Sequence, residues 1–303
     1  MDFTHLDSVA LTDPGRVRTN NEDAILAVRA AGLFALADGM GGAAAGELAS
    51  AIAAEELAQA FADSAPPPAG AGPLARVRQA VQALNQASRR IREYADQQLL
   101  SGTGTTAVVL LFDSWDPAQA MVLHAGDSRA YRWRKGTLER LTADHTVAAA
   151  AGVEDEAKLP PAFRGVLTRA VGLEPVVMLE HTPTDVQPGD LFLLCSDGLT
   201  KMLPDKQLQK LLRKLGRGAL PDLAAALVAA ANAAGGKDNV SVVLIRAAQE
   251  LPAAYRPTAA ERAADETPAA ETAAAAATAE ATPDTATPDT DEFHNRPPPA
   301  AGT

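Results

Sequence analysis

Cysteine is almost missing from this chain of 303 residues: Cys195 is the sole example. One thiol cannot close an internal disulfide, and no Cys/His grouping has zinc-ligand spacing, so a reducing compartment without structural zinc is the default. Basic residues are also scarce, with 27 Lys+Arg against 38 Asp+Glu and a net charge of −11. Such a balance argues against nucleic-acid binding, which needs a basic face to meet the phosphate backbone. Long apolar runs are lacking. The best candidate, LAAALVAAANAA at 223–234, is too short and too rich in alanine to cross the ~30 Å core of a bilayer. The N-terminal MDFTHLDSVALTD has neither a basic nor an apolar signal region, which removes a secretory signal. The expectation is a soluble, cytoplasmic protein. Its hydrophobic fraction of 47% supplies a full-sized core.

Composition breaks near Leu251. The last 53 residues hold 18 Ala, 9 Thr and 8 Pro, and the pentad ATPDT repeats from Ala281. Burial of so few large apolar side chains cannot offset the entropy of ordering, so 251–303 is expected to be a disordered tail and 1–250 one domain. Within 1–250, DSAPPPAGAGP at 63–73 reads as an internal loop. Apolar runs bounded by turn residues predict strands at GLFALAD ending at Asp38, TAVVLLF from Thr106, AMVLHAG ending at Gly126, RAYRWR from Arg129, DLFLLCS ending at Ser196 and VSVVLIR from Val240. Helical patterns follow Gly46 and cover 74–99 and 223–234. The strands between 106 and 141 are too close for helical crossovers and are expected to pair antiparallel. An α+β domain follows, with helices on the outer faces of antiparallel sheet.

Aspartates recur at the ends of these strands. Asp38 and Asp197 each follow an apolar run and precede glycine, Asp127 lies between two strands in AGDSR, and Asp238 opens DNVSVVLI. Taken singly, each is more simply a turn former or a cap. Were the four to converge, each close pair would repel by about 4 kcal/mol at an effective dielectric near 20, which a fold tolerates only with cations between them. All-oxygen ligation favours Mg²⁺ or Mn²⁺ over zinc. A pair of such ions suits hydrolysis of a phosphate ester by water.

The ordered series RTNNED (18–23), ADGMGG (37–42), GTGTTAVV (102–109), HAGDSRAY (124–131), TADHT (142–146), LLCSDGL (193–199) and GGKDNVSVV (235–243) resembles the metal-dependent serine/threonine protein phosphatases, the PP2C or PPM family, in its bacterial branch. The resemblance covers residues 5–247. It implies a four-layer α-β-β-α sandwich in which two packed antiparallel sheets are flanked by antiparallel helices. It also implies two core Mn²⁺ or Mg²⁺ ions, with Asp38 bridging both, the carbonyl of Gly39 on one, and Asp197 and Asp238 on the other. Asp127 with Asp197 would form a third, weaker position, and Glu22 and Asp23 would hold waters around the ions. Arg18 would grip the substrate phosphate, and water would be the nucleophile. The segment 145–168 would be a flap beside the site. Implied partners are phosphorylated proteins and a Ser/Thr kinase, met by a monomer.

Other readings stand beside these. Arg18 taken alone is a solvated surface charge. GMGGAAAG at 39–46 is a possible anion cradle for a nucleotide, but it lacks a GK[ST] ending and follows Asp38. Cys195 is more simply buried than nucleophilic, and His124 more simply structural than catalytic. A binding module without catalysis on the same fold is the alternative function. Met40 and Ala43 stand where relatives carry histidine, which leaves protonation of the leaving group unassigned.

Overall fold

The computed structural model describes residues 3–62, 72–153 and 158–266. Most of the loop expected at 63–73, flap positions 154–157 and the tail from 267 lie outside the described residues.

Two antiparallel sheets carry the fold. The first has the order β1-β11-β10-β7-β8, from β1 (Leu6–Asp13), β7 (Arg129–Arg134), β8 (Thr137–Arg140), β10 (Leu191–Cys195) and β11 (Val240–Ala247). The second has the order β2-β3-β5-β6-β9, from β2 (Asp23–Val28), β3 (Leu33–Met40), β5 (Ala107–Phe112), β6 (Gln119–Ala125) and β9 (Glu180–Asp185), with the short β4 (Gly104–Thr105) added to β3. Helices α1 (Ala43–Ala62) and α2 (Pro73–Gln97) cover the second sheet. Helices α5 (Asp205–Leu215) and α6 (Leu220–Ala233) cover the first. The four-layer sandwich follows.

Strands covered on both faces read as unbroken apolar runs, and alternation decides which layer each side chain enters. In β5, Val108, Leu110 and Phe112 enter the core between the sheets, while Ala107, Val109 and Leu111 face the helices. Phe112 sits edge-on to both Phe34 and Phe192, with centroids 6.0 and 5.7 Å apart, and so joins the sheets at their centre. On the helices, Val77, Ala80, Leu84, Ala87 and Ile91 of α2 and Leu220, Leu223, Ala224, Leu227 and Ala231 of α6 form the expected stripes.

The strands between 106 and 141 pair antiparallel as expected, β5 with β6 and β7 with β8, and the chain crosses from one sheet to the other at 126–128. Two expectations change. The helix after Gly46 begins earlier, at Ala43. The described chain also continues past 250 into α7 (Ala259–Glu266), so 251–266 is not a disordered tail. Thr258 and Glu261 form a reciprocal capping box at the start of α7, with N···O distances of 3.3 and 2.7 Å. Asp265, 4% exposed, accepts from the amides of Leu74 and Ala75 at 3.3 and 2.7 Å, capping the first turn of α2 from a distant part of the sequence.

Candidate active site

The strand ends place the acids. Asp38 lies near the end of β3, and Asp23, at the start of β2, is its cross-strand partner. Asp127 occupies the turn between the sheets. Asp197 follows β10 as the first residue of the short helix α4 (Asp197–Thr200), and Asp238 stands two residues before β11. Asp38, Asp127, Asp197 and Asp238 line one cleft of about 550 Å³, together with Arg18, Glu22 and Gly39. Asp23 lies behind this lining.

Both Asp-Gly steps owe their glycine to close backbone approach rather than to a turn. A Cβ on Gly39 would stand 2.0 Å from the carbonyl oxygen of Gly46, and one on Gly198 would stand 2.0 Å from that of Asn239. A turn is the simpler reading of each step taken singly, but neither glycine is among the described residues with positive φ.

Polar contacts fix the acids from behind. The Asp38 amide donates to Thr106 Oγ1 at 2.9 Å, and Thr106 Oγ1 in turn meets Ser128 Oγ at 2.8 Å, beside Asp127. Ser241 Oγ donates to Asp23 Oδ2 at 2.6 Å. Asn239, overlooked in the sequence apart from its motif, staples the 18–23 loop to β11. Its amide group donates to the carbonyls of Pro14 and Asn20 at 3.1 and 2.8 Å, and its Oδ1 accepts from the Glu22 amide at 2.8 Å. Arg18, with its side chain 46% exposed at the mouth of the cleft, sets Nε and Nη2 on the two oxygens of Asp238, each at 3.1 Å, with Glu22 at 3.6 Å.

The charges are strongly coupled. Burial, followed by repulsion from Asp23, Asp197, Asp127 and Asp238, pushes the Asp38 carboxyl well above its ordinary value. Burial is the main reason that Asp23 is pushed up to about 7, with Asp197 and Asp238 adding to it against the Ser241 and Ser196 hydrogen bonds. Asp127 is pushed up to about 7 by burial and then by Asp197, while Lys201 pulls it down. Asp23 Oδ1 and Asp197 Oδ1 are buried without a hydrogen-bond partner. Converging carboxylates with unused, inaccessible oxygens fit a site for hard divalent cations. Lys201 was absent from the sequence reading. It sits four residues after Asp197 on the same helical face, and its Nζ bonds Asp197 Oδ2.

The segment 145–168, expected to be a flap, is tied at its foot. The Thr168 amide donates to the His145 carbonyl at 2.8 Å and the Val147 amide to that of Val166 at 2.9 Å. Gly165 and Leu167 of this segment line the cleft. Its helix α3 (Val147–Ala150) borders an adjoining cavity of about 1030 Å³ that shares Asp127 and Asp197 with the cleft. His124, His145 and Glu180 bring ligand-type atoms within 4.8 Å of one another. The two imidazoles are stacked at 4.5 Å and 7°, so their lone pairs run side by side, and Arg169 stands 3.3 Å from His145 Nε2. That geometry suits a structural bracket better than a metal centre. His124 Nε2 bonds the Ala143 carbonyl at 2.8 Å, and burial lowers the pKa of its ring. Cys195 is buried on the helix side of β10, and burial pushes its thiol up to about 12, which leaves it inert as a nucleophile. Among the described residues no helix is long and apolar enough to cross a membrane.

Comparison with known proteins places this geometry. The family profile for protein phosphatase 2C matches residues 16–231. A serine/threonine phosphatase, stp, of Listeria welshimeri is 31% identical over 248 residues, which is 77% of this chain and 93% of that protein. Among solved structures, PppA, described as a key regulatory component of T6SS in Pseudomonas aeruginosa, is 34% identical with a TM-score of 0.70, covering 82% of this chain and 100% of its own. The catalytic domain of the serine/threonine protein phosphatase PstP in complex with two manganese ions is 32% identical with a TM-score of 0.67, covering 80% of this chain and 98% of its own.

Proposed function

Because the chain belongs to the protein phosphatase 2C family, we propose that it hydrolyses phosphoserine and phosphothreonine in proteins with Mn²⁺ or Mg²⁺ as cofactor. The observation that carries this reading is the convergence of Asp38, Asp127, Asp197 and Asp238 on one cleft with Arg18 at its mouth. In this reading Asp38, the Gly39 carbonyl, Asp197 and Asp238 hold two ions, with Glu22 and Asp23 around them. When bound, the ions offset charge on the phosphoryl group and make water nucleophilic near neutral pH. Arg18 presents its planar guanidinium to the substrate phosphate and orients it for attack. The flap residues Gly165 and Leu167 wall the cleft and restrict water. No histidine lines the cleft among the described residues, and Met40 stands on its wall. The side chains there therefore offer no imidazole to the leaving alkoxide.

The catalytic domain in this reading runs to Glu266, because Asp265 caps α2. The finer parts of the reading are a cytoplasmic monomer whose substrates are supplied by a Ser/Thr kinase. A binding module without catalysis has no use for carboxylates that require cations, and the intact acid set speaks against it. The test is phosphate release from a phosphothreonine peptide, with Mn²⁺ or chelator, for the wild type, Asp197→Asn and Asp238→Asn. Metal-dependent turnover in the wild type, reduced at least about 100-fold in both variants, supports the proposal. A folded wild type that binds Mn²⁺ and releases no phosphate refutes it in favour of the binding module.

A further inference from the structure

The cavity that adjoins the cleft holds a cation belonging to the chain itself. Lys201 lies one helical turn beyond Asp197, and its amide donates to the Asp197 carbonyl at 2.7 Å. Its Nζ bonds Asp197 Oδ2. The Asp197 carboxylate is thereby divided: Oδ1 is buried without a partner, and Oδ2 is taken. Lys201 lines the adjoining cavity together with Asp127 and Asp197, the two acids that this cavity shares with the cleft. The neighbouring cations do not compete for this place, since Arg129 and Arg140 are both spent on Asp144.

We propose that Lys201 is a built-in cation on the Asp127–Asp197 side of the cleft, where it takes the place of a third metal ion, so that this chain holds two ions where its acids could hold three. The proposal rests on the two-metal reading above. It departs from the expectation that Asp127 and Asp197 together form a metal position: a third ion there would have to share Asp197 Oδ2 with the Lys201 ammonium. A divalent ion between Asp127 and Asp197 would also stand close to a fixed positive charge, a repulsion comparable to the attraction of one carboxylate.

The experiment counts ions and needs no turnover. The full chain and its Lys201→Gln variant are titrated with MnCl₂ into the millimolar range, and free Mn²⁺ is read by its EPR signal. Lys201 is half exposed and glutamine nearly keeps its length, so the variant folds; circular dichroism verifies this. The expected result is two ions per chain in the wild type and three in Lys201→Gln over the same Mn²⁺ range, any third ion in the wild type binding at least about tenfold more weakly than in the variant. Lys201→Arg retains a count of two, and adding Asp127→Asn to Lys201→Gln removes the third ion again. A third ion bound equally by the wild type, or no gain in Lys201→Gln, overturns the role of Lys201. Fewer than two ions in both proteins defeats the two-metal reading instead.

Discussion

Replacing Asp38 by asparagine should stabilise the metal-free protein while abolishing its activity. Asp38 is the hub of the acid basin: burial opposes its charge, and Asp23, Asp197, Asp127 and Asp238 all repel it. Asp23, which faces Asp38 across the strand pair, carries a strain of its own and shows the scale for a buried acid in this basin: mainly through burial it is pushed from 3.8 to about 7. Below pH 3.8 that carboxyl is protonated in both folded and unfolded chains and costs nothing. As pH rises towards 7 the unfolded chain ionises first, and the metal-free fold loses stability across that window. A rise of about three pKa units at about 1.4 kcal/mol each gives a penalty of about 4 kcal/mol above pH 7. For a domain of this size that corresponds to roughly 10 °C in melting temperature. The acids share their repulsion, so their separate penalties do not add. The assay is thermal unfolding in EDTA from pH 5 to 8, followed by circular dichroism, with and without a return to excess Mn²⁺. Wild type should melt lower as pH rises and regain the loss with Mn²⁺. Asp38→Asn should melt higher than wild type in EDTA at pH 7.5, depend less on pH and gain less from Mn²⁺. An Asp38→Asn variant that melts at or below the wild type in EDTA throughout this range would refute the reasoning.

Two other outcomes test the scaffold. Asp265→Ala removes a carboxylate that accepts from two first-turn amides of α2, and should cost about 1–2 kcal/mol in urea unfolding; truncation after 250 should cost at least as much, whereas truncation after 266 should leave the midpoint unchanged. Gly198→Ala forces a Cβ to within 2.0 Å of the Asn239 carbonyl oxygen and must push α4 away from β11, so turnover should fall at least about tenfold with a melting point only modestly lower.

Legibility in the sequence followed the physics of burial. Strands covered on both sides, such as β5 and β10, read as continuous apolar runs and were identified. Strands at the sheet edges did not: β1 (LDSVALTD) and β9 (EHTPTD) present mixed, partly exposed residues that carry no such signal. The crossing between sheets at Gly126, Asp127 and Ser128 was hidden because a short connection looks the same whether it turns a hairpin or changes layer. α5 (DKQLQKLLRKL) showed a readable pair in Leu208 and Leu212, buried four residues apart, but is short and highly charged. The boundary at 250 was misplaced for a different reason. Alanine-rich composition outweighed a local signal that was present, the Thr258–Glu261 capping box, whose helix delivers Asp265 to α2.

That the strand-end acids line one cleft was legible for a reason that also explains what was missed. Carboxylates at strand ends are costly when they converge, so their recurrence after apolar runs is informative even when each alone has an ordinary explanation. Residues that lower that cost leave weaker traces. Asn239 and Ser241 look like common polar residues at the start of a strand, and their work lies in bonds that span more than 200 positions, to Glu22 and Asp23. Lys201 looks like a solvated helix lysine until Asp197, four residues earlier, is known to face the cleft. The acids thus announce the chemistry in the sequence, whereas the groups that make their proximity tolerable emerge only from the three-dimensional arrangement. In this chain one of those groups is Lys201, whose ammonium meets the Asp197 carboxylate in a cavity that Asp127 also lines.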